Sequence, residues 1–245
     1  MEMASLRHDG RKADELRPLK MTAGFVRPAD GSCLIEMGGT RVICTASFVE
    51  GVPKWRVDSG QGWVTAEYGM LPASTGSRRS RPMPFPDGRS VEIQRIVGRT
   101  LRSVVRMERL GENTVYLDCD VLEADGGTRT AAINGAYVAL AGALAAAAAA
   151  GKCDKDALRG AVAAVSVGII GGRAMLDLDY SEDSLAEVDM NVAMTSGGKY
   201  IEVQGSAERA GFDTGQLDKM LALARRGVRR IFAAQQRAIR KGPRR

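Results

Sequence analysis

Between residues 130 and 150 the chain contains only Ala, Leu, Val, Ile, Gly, Asn, Tyr and Thr, and small residues fall on every side of the helix that this composition predicts. A helix with no polar face cannot lie on a surface, so this one must be central and closely packed, with Gly151 placed to end it. The stretch before it, DCDVLEADGGTRT at 118–130, joins a strand to that helix through a tight turn. Val115, Leu117, Cys119 and Val121 alternate with Tyr116, Asp118, Asp120 and Leu122, the period of a strand burying one face. Asp125, Gly126 and Gly127 then permit positive φ, and Thr128 is expected to cap a helix starting at Arg129. A helix N-terminus reached through glycines presents free backbone N–H groups, and Arg129 adds a guanidinium beside them. The passage suits an anion cradle, although most strand-Gly-Gly-cap-helix passages are plain connections.

Histidine is nearly absent, His8 being the single one, in a charged segment beside Arg7 and Asp9. Ser-His-Asp, Cys-His and His-rich zinc sites are therefore excluded as the main chemistry, which must rest on carboxylates, arginines, backbone amides and a hard metal ion. The 4 cysteines, Cys33, Cys44, Cys119 and Cys153, form neither a C-x-x-C pair nor a disulfide framework, which points to a reducing, cytoplasmic compartment. The start has no apolar signal core, and the run 143–150 is too short to span a bilayer, so no membrane association is expected. The 245 residues suffice for one large domain or two small ones. The net charge of +6 owes much to Arg237, Arg240, Lys241, Arg244 and Arg245, a basic end that suits either a solvated tail or nucleic-acid contact.

In order, strands are predicted over 20–26, 33–37, 41–49 and 62–68, the first three joined by turns rich in Gly, Pro and Asp as an antiparallel opening. Residues 71–88 hold Pro72, Pro82, Pro84 and Pro86 with Arg78, Arg79 and Arg81, so they form an exposed, irregular basic loop, either solvated or gripping RNA. A helix over 90–108, started at Ser90, lines up Ile93, Ile96, Val97, Leu101, Val104 and Val105 on one face. Its other face carries Arg95, Arg99, Arg102 and Arg106 as a basic stripe, fit for a polyanion or for salt bridges at a subunit contact. After the central helix, strands at 161–170 and 174–180 meet at Gly171-Gly172, and those at 187–195 and 200–204 form a hairpin. An amphipathic helix over 213–241 closes the chain. On the strand 187–192, Glu187, Asp189 and Asn191 face one way, with Asp183 in the turn before. That set suits Mg²⁺ or Mn²⁺, or simply an exposed polar strand face.

The blocks RHDGRKADELRP, DGSCLIEMGGTRVICTAS, GWVTAEYGMLP, GRSVEIQRIVGRTLR, LDCDVLEADGGTRTAAINGAYVAL, AAVSVGI, EDSLAEVDMNVAMT and EVQGSAE resemble, in order and spacing, the ribonuclease PH family, from Arg7 to about Ile231. No internal repeat is visible, which argues against the two-copy polynucleotide phosphorylases of the same fold. The resemblance implies a phosphorolytic 3′-to-5′ exoribonuclease that trims tRNA precursors and other structured RNA, with inorganic phosphate as nucleophile and nucleoside diphosphates as products. It implies phosphate binding by Arg89, Gly127, Thr128 and Arg129. Asp183 and Asp189 would be the catalytic acids and the ligands of Mg²⁺ or Mn²⁺, Asp189 serving either as ligand or as the acid that protonates the leaving 3′ oxygen. Arg78, Arg79 and Arg81, with Arg95 and Arg99, would hold RNA.

The implied fold is α/β (mixed α+β): two layers, mixed sheets, a left-handed βαβ crossover and a long C-terminal helix, in one domain over 1–240 followed by a basic tail at 241–245. The implied assembly is a homo-hexameric ring built as a trimer of dimers. The segment 72–88 departs from the family pattern: it is shorter, has Ala73 where a basic residue is common, and reads PMPFPDG in place of an acidic and lysine-rich stretch. An alternative of another class is a non-catalytic or hetero-ring exosome-like subunit that binds RNA.

Overall fold

The computed structural model describes residues 7–81, 87–208 and 211–242, so Pro82, Pro84, Pro86 and the tail residues 243–245 lie outside the described residues. The elements are β1 (Leu19–Ala23), β2 (Gly31–Met37), β3 (Thr40–Glu50), β4 (Trp63–Met70), α1 (Gly88–Arg102), β5 (Asn113–Glu123) and α2 (Thr128–Ala149), then β6 (Val162–Ile170), β7 (Arg173–Leu176), α3 (Tyr180–Asp183), β8 (Val188–Thr195), β9 (Tyr200–Ala207) and α4 (Thr214–Lys241). One sheet runs β1-β2-β3-β5-β4 and the other β7-β6-β8-β9. The second is antiparallel throughout. The first is mixed, because β4 and β5 pair in parallel and α1 makes the crossover between them.

The apolar helix α2 lies between the sheets, against β2, β3 and β5 on one side and β6 on the other. Its small residues set how closely they approach. A Cβ at Gly135 would lie 2.7 Å from Cys44 Sγ, and one at Gly31 would lie 2.0 Å from the Ala139 carbonyl oxygen, so larger residues would push helix and sheet apart. Asn134, in the middle of this helix, is polar and fully buried. Its Nδ2 donates to the Ala164 carbonyl at 2.8 Å and its Oδ1 accepts from the Ala164 N–H at 2.8 Å, which ties α2 to β6. By length and apolarity α2 is the one helix among the described residues that could cross a membrane, and 78% of that window is buried inside the protein. Gly151 follows the helix with φ 71°, and the Lys152 N–H returns to the Ala147 carbonyl at 2.9 Å, a glycine stop as expected.

α4 starts with a capping box between Asp213 and Gln216 and buries Met220, Ala224, Val228 and Ile231 against β6 and β7. It includes Lys241.

Several boundaries differ from the sequence reading: β1 ends at Ala23 and not at 26, and β9 runs on to Ala207. α1 starts two residues earlier, at Gly88, and is capped by the Asp87 side chain, which accepts the Ser90 N–H at 2.8 Å. It also stops at Arg102, because the main chain of 104–106 bonds instead to 157–159. The strand predicted to reach Tyr180 ends at Leu176, where Asp177 takes φ 54° and leads into the short helix α3.

Candidate active site

β5 delivers the chain to a turn in which Gly126 and Gly127 both have left-handed φ, 72° and 65°. Two such residues in succession are cheap only for glycine. Thr40 fixes the turn from β3: its hydroxyl donates to the Gly126 carbonyl at 2.6 Å and accepts the Asp125 N–H at 2.9 Å. A Cβ at Gly126 would lie 2.6 Å from the Asp179 carbonyl carbon, so this turn presses directly on the backbone that leads into α3.

Thr128 does not cap α2. Gly127 occupies the N-cap position, and the Thr128 hydroxyl instead accepts from the buried Tyr68 phenol at 2.8 Å. The first intrahelical bond runs from the Ala131 N–H to the Gly127 carbonyl at 3.0 Å, which leaves the amides of Thr128, Arg129 and Thr130 at the open end of the helix. Arg129 is held by its tips, Nη1 on Gln204 Oε1 at 2.9 Å and Nη2 on Glu92 Oε1 at 3.5 Å. Its Nε is buried with no partner. A buried guanidinium N–H without an acceptor costs about 1–3 kcal/mol unless an anion completes it.

Arg89, exposed on the first turn of α1, joins Gly127, Thr128, Arg129, Ser166, Asp183, Asp189 and Asn191 around a small pocket of about 70 Å³. All of the expected phosphate and carboxylate residues therefore converge on one pocket, from α1, the β5–α2 turn, α3 and β8. Ser166, from β6, is an addition to which no local sequence pattern assigned a role; its hydroxyl accepts the Leu178 N–H at 3.2 Å. Glu187 does not belong to the set. It precedes β8, and its carboxylate accepts the Gly172 N–H at 3.2 Å at the β6–β7 turn.

Burial pushes Asp189 up to about 6, reinforced by the charge of Asp183 and opposed by Arg129 and Arg89. Burial raises Asp183 as well, against the pull of Arg89 and Arg129. Two carboxylates that repel each other, with the Asn191 amide 3.4 Å from Asp189, offer only hard oxygen donors toward a cation. Two carboxylates that leave other positions to water and phosphate oxygens fit Mg²⁺ or Mn²⁺. His8, Asp179 and Glu182 also cluster closely enough for a metal, but Arg7 Nε reaches Glu182 at 2.6 Å and Arg11 reaches it at 3.4 Å. That cluster is an ion-pair knot already neutralised by arginine.

A larger cleft of about 640 Å³ adjoins the small pocket, sharing Arg89, Gly127, Thr128 and Asp183 with it and adding Met70, Gly76, Ser77, Arg79 and Tyr180. The loop after β4 is pinned at its base, with the Leu71 N–H on Val121 O at 3.0 Å and the Ala124 N–H on Ser74 O at 2.8 Å. Of its arginines, Arg79 lines the cleft, while Arg78 and Arg81 are exposed outside that lining. Arg95 and Arg99 line a different groove, on the outer side of α1 against β9, where Arg99 pairs with Glu202 at 2.6 Å. The rest of the basic stripe is taken up internally. Arg102 stacks 4.5 Å over the Trp63 ring and donates to Val64 O, and Arg106, beyond the helix, bonds to Asp156 O.

A mixed sheet, a second antiparallel sheet and an arginine-carboxylate pocket make a two-sheet α/β architecture with a site fit for a small anion. The chain matches the family described as "3′ exoribonuclease family", domain 1 over residues 15–145 and domain 2 over residues 160–227. It is 54% identical over 238 residues to Ribonuclease PH of Mycobacterium sp. (strain KMS), spanning 96% of this chain and 92% of that one. Ribonuclease PH of Mycolicibacterium smegmatis gives the same identity and coverage. In fold it is similar to an Archaeoglobus fulgidus exosome with RNA bound to the active site, at a TM-score of 0.79, 22% identity, and 94% and 92% of the two chains. It is also similar to an archaeal exosome core, at a TM-score of 0.75, 21% identity, and 94% and 91% of the chains. The chain belongs to the 3′ exoribonuclease family.

Proposed function

We infer that this chain is a phosphate-dependent 3′-to-5′ exoribonuclease in which inorganic phosphate binds among Arg89, Thr128 and Arg129 and attacks the terminal phosphodiester of RNA. The observation that carries the reading is the convergence of Arg89, Arg129 and the open end of α2 with Asp183 and Asp189 on one pocket. A phosphate oxygen forms the new bond to phosphorus, the bond to the 3′ oxygen breaks, and a nucleoside diphosphate leaves. Arg89, Arg129 and the open amides of α2 neutralise and orient the attacking dianion. Asp189, raised toward neutrality by its surroundings, donates the proton that the departing 3′ oxygen requires. Asp183 would hold Mg²⁺ or Mn²⁺, with Asp189 as its partner ligand in the alternative where Asp189 is charged and is not the acid; when bound, the ion supplies charge neutralisation at the transferred phosphoryl group. The RNA end enters through the larger cleft, with Arg79 on its wall and the exposed Arg78 and Arg81 on the same loop; Arg95 and Arg99, on the far side of α1, serve only the upstream strand.

The natural substrates in this reading are 3′ ends of tRNA precursors, processed in the cytoplasm by a homo-hexameric ring of this single-domain chain. Incubating a 5′-labelled RNA with the protein and Mg²⁺, with and without phosphate, tests the chemistry. Shortening should depend on phosphate and release nucleoside diphosphates, whereas release of monophosphates at full rate in phosphate-free buffer would overturn it. Gel filtration of the protein alone tests the ring, since a subunit that requires other chains would not form one unaided.

A further inference from the structure

Arg17 lies just before β1 and lines neither the small pocket nor the larger cleft. Its side chain is 3% exposed and faces two ways. Toward one side, Nη2 donates to Asp177 Oδ1 at 2.7 Å and Nε to Oδ2 at 3.2 Å, while the backbone N–H of Arg17 reaches the same Oδ2 at 2.8 Å. Toward the other, Nη1 donates to the Asp125 carbonyl, and Nη1 and Nη2 reach the Gly126 carbonyl at 3.5 and 3.4 Å. Asp177 is fully buried, has the left-handed φ of 54°, and begins the segment that leads through Asp179 into α3 and Asp183. Two glycines make room for this arrangement. A Cβ at Gly38 would lie 2.6 Å from Arg17 Cδ, and one at Gly127 would lie 2.9 Å from Nη2. The guanidinium thus sits directly behind the residue that opens the anion turn.

We propose that Arg17 is a positioning residue for phosphate: one buried guanidinium fixes the Asp125–Gly126 carbonyls and the Asp177 carboxylate together, and so sets the anion turn against the segment that carries Asp183. The inference rests on the phosphorolytic reading of the pocket. The planar peptide makes the effect transmissible, because a carbonyl turned onto Arg17 points the N–H of the same peptide the opposite way. Fixing the carbonyls of Asp125 and Gly126 therefore fixes the N–H directions of Gly126 and Gly127. Donors on two sides of a rigid plane are a property of arginine that lysine, a single point charge on a flexible stem, cannot supply. The ion pair with Asp177 cancels the charge of Arg17, so its contribution is geometric, and removing it should be felt in phosphate binding more than in affinity for RNA.

The experiment uses the full chain with a 5′-labelled RNA and Mg²⁺, and measures the phosphate KM, kcat, and RNA affinity without phosphate for the wild type, Arg17→Lys, Arg17→Ala and Asp177→Asn. Arg17→Lys should melt cooperatively and raise the phosphate KM by at least about tenfold, with a smaller fall in kcat and little change in RNA affinity. Millimolar guanidinium should bring the phosphate KM of Arg17→Ala back toward that of the wild type while leaving the wild type unchanged. A merely structural arginine would lower Tm and the active fraction without moving the phosphate KM, and guanidinium would not restore activity. Should Arg17→Ala fail to fold, Asp177→Asn decides with Arg17→Lys: asparagine tolerates the left-handed backbone and keeps an oxygen toward Arg17, so its KM should change less than that of the lysine variant. A folded Arg17→Lys with the wild-type phosphate KM would overturn the inference alone. Wild-type cleavage indifferent to phosphate would overturn phosphorolysis, and this inference with it.

Discussion

Arg129 lines the small pocket and Arg79, from the loop after β4, lines the adjoining cleft, and the protein treats these two groups of arginine differently. Arg129 is 15% exposed, leaves the first turn of a buried helix, and has both terminal nitrogens bonded to Gln204 and Glu92. Arg78, Arg79 and Arg81 are exposed, and Arg79 makes only a loose 3.8 Å approach to the sulfur of Met70. A small dianion that must attack in line requires donors fixed in advance, because orienting them at the moment of reaction would raise the barrier. A flexible polyanion is served by mobile charge, since its affinity comes from neutralised phosphates and released counterions, not from fixed angles. Side-chain type is the same in both places; what the backbone and neighbours do to it decides the chemistry.

The rigid end should fail first and furthest. Asp189→Asn keeps the shape of the pocket while removing the proton donor, so turnover should fall by at least about two orders of magnitude with RNA affinity little changed. Single-turnover kinetics at saturating RNA, phosphate and Mg²⁺ measure this, and near-normal turnover would reduce Asp189 to a bystander. Next in size is Arg89→Ala, which should raise the phosphate KM by the equivalent of about 2–3 kcal/mol, the worth of its charge-assisted hydrogen bonds. RNA binding measured without phosphate should change less.

At the exposed end, neutralising Arg78, Arg79 and Arg81 together should weaken RNA binding and flatten its salt dependence, by about 0.7 unit of slope for each RNA phosphate that is no longer neutralised, leaving the phosphate KM nearly unchanged. Among the single substitutions Arg79→Gln should weaken binding most, because Arg79 alone of the three lines the cleft. Filter binding across a salt series measures both effects. If affinity and slope stay as in the wild type, the loop is a solvated connection and the sharp difference between the two arginine groups disappears.

How far the sequence disclosed this arrangement depended on the range of the interactions involved. The alternation in β5, the enclosure of α2 and the amphipathic face of α4 are local patterns, and each became the element it promised. The glycine turn that opens α2 was legible, but the role of Thr128 was not. Local propensity makes a threonine a cap, whereas here Gly127 takes that position and Tyr68, far away in sequence, claims the hydroxyl. α3 has too few residues to show a period, so Asp183 read as part of a turn. The arginine stripe was a sound helical pattern until Arg102 turned onto Trp63 and the helix ended before Arg106. Arg17 and Ser166 lie in blocks that carry the family resemblance, but no local pattern assigned either a role, because their meaning lies in partners that only the folded chain brings near.

The smallest expected effect concerns stability, and it sharpens the same contrast, because a preorganised site carries an energetic cost that an exposed loop does not. Asp189 titrates near an ordinary 3.8 in the unfolded chain and at about 6 in the fold. Between those values the folded chain keeps a proton that the unfolded chain has released, so stability falls as pH rises through that window, and the full penalty is present above it. Asp189→Asn removes the charge and with it the penalty. Without Mg²⁺ or phosphate, the variant should therefore be more stable than the wild type at pH 8, by on the order of 1–2 kcal/mol once solvent screening is allowed for, and equal to it near pH 4. Urea melts at the two pH values measure the difference. A variant less stable at pH 8 would mean that Asp189 is stabilised by Arg129 and Arg89 more than it is strained by burial and Asp183, and that the pocket rests in its charged form before any ligand arrives.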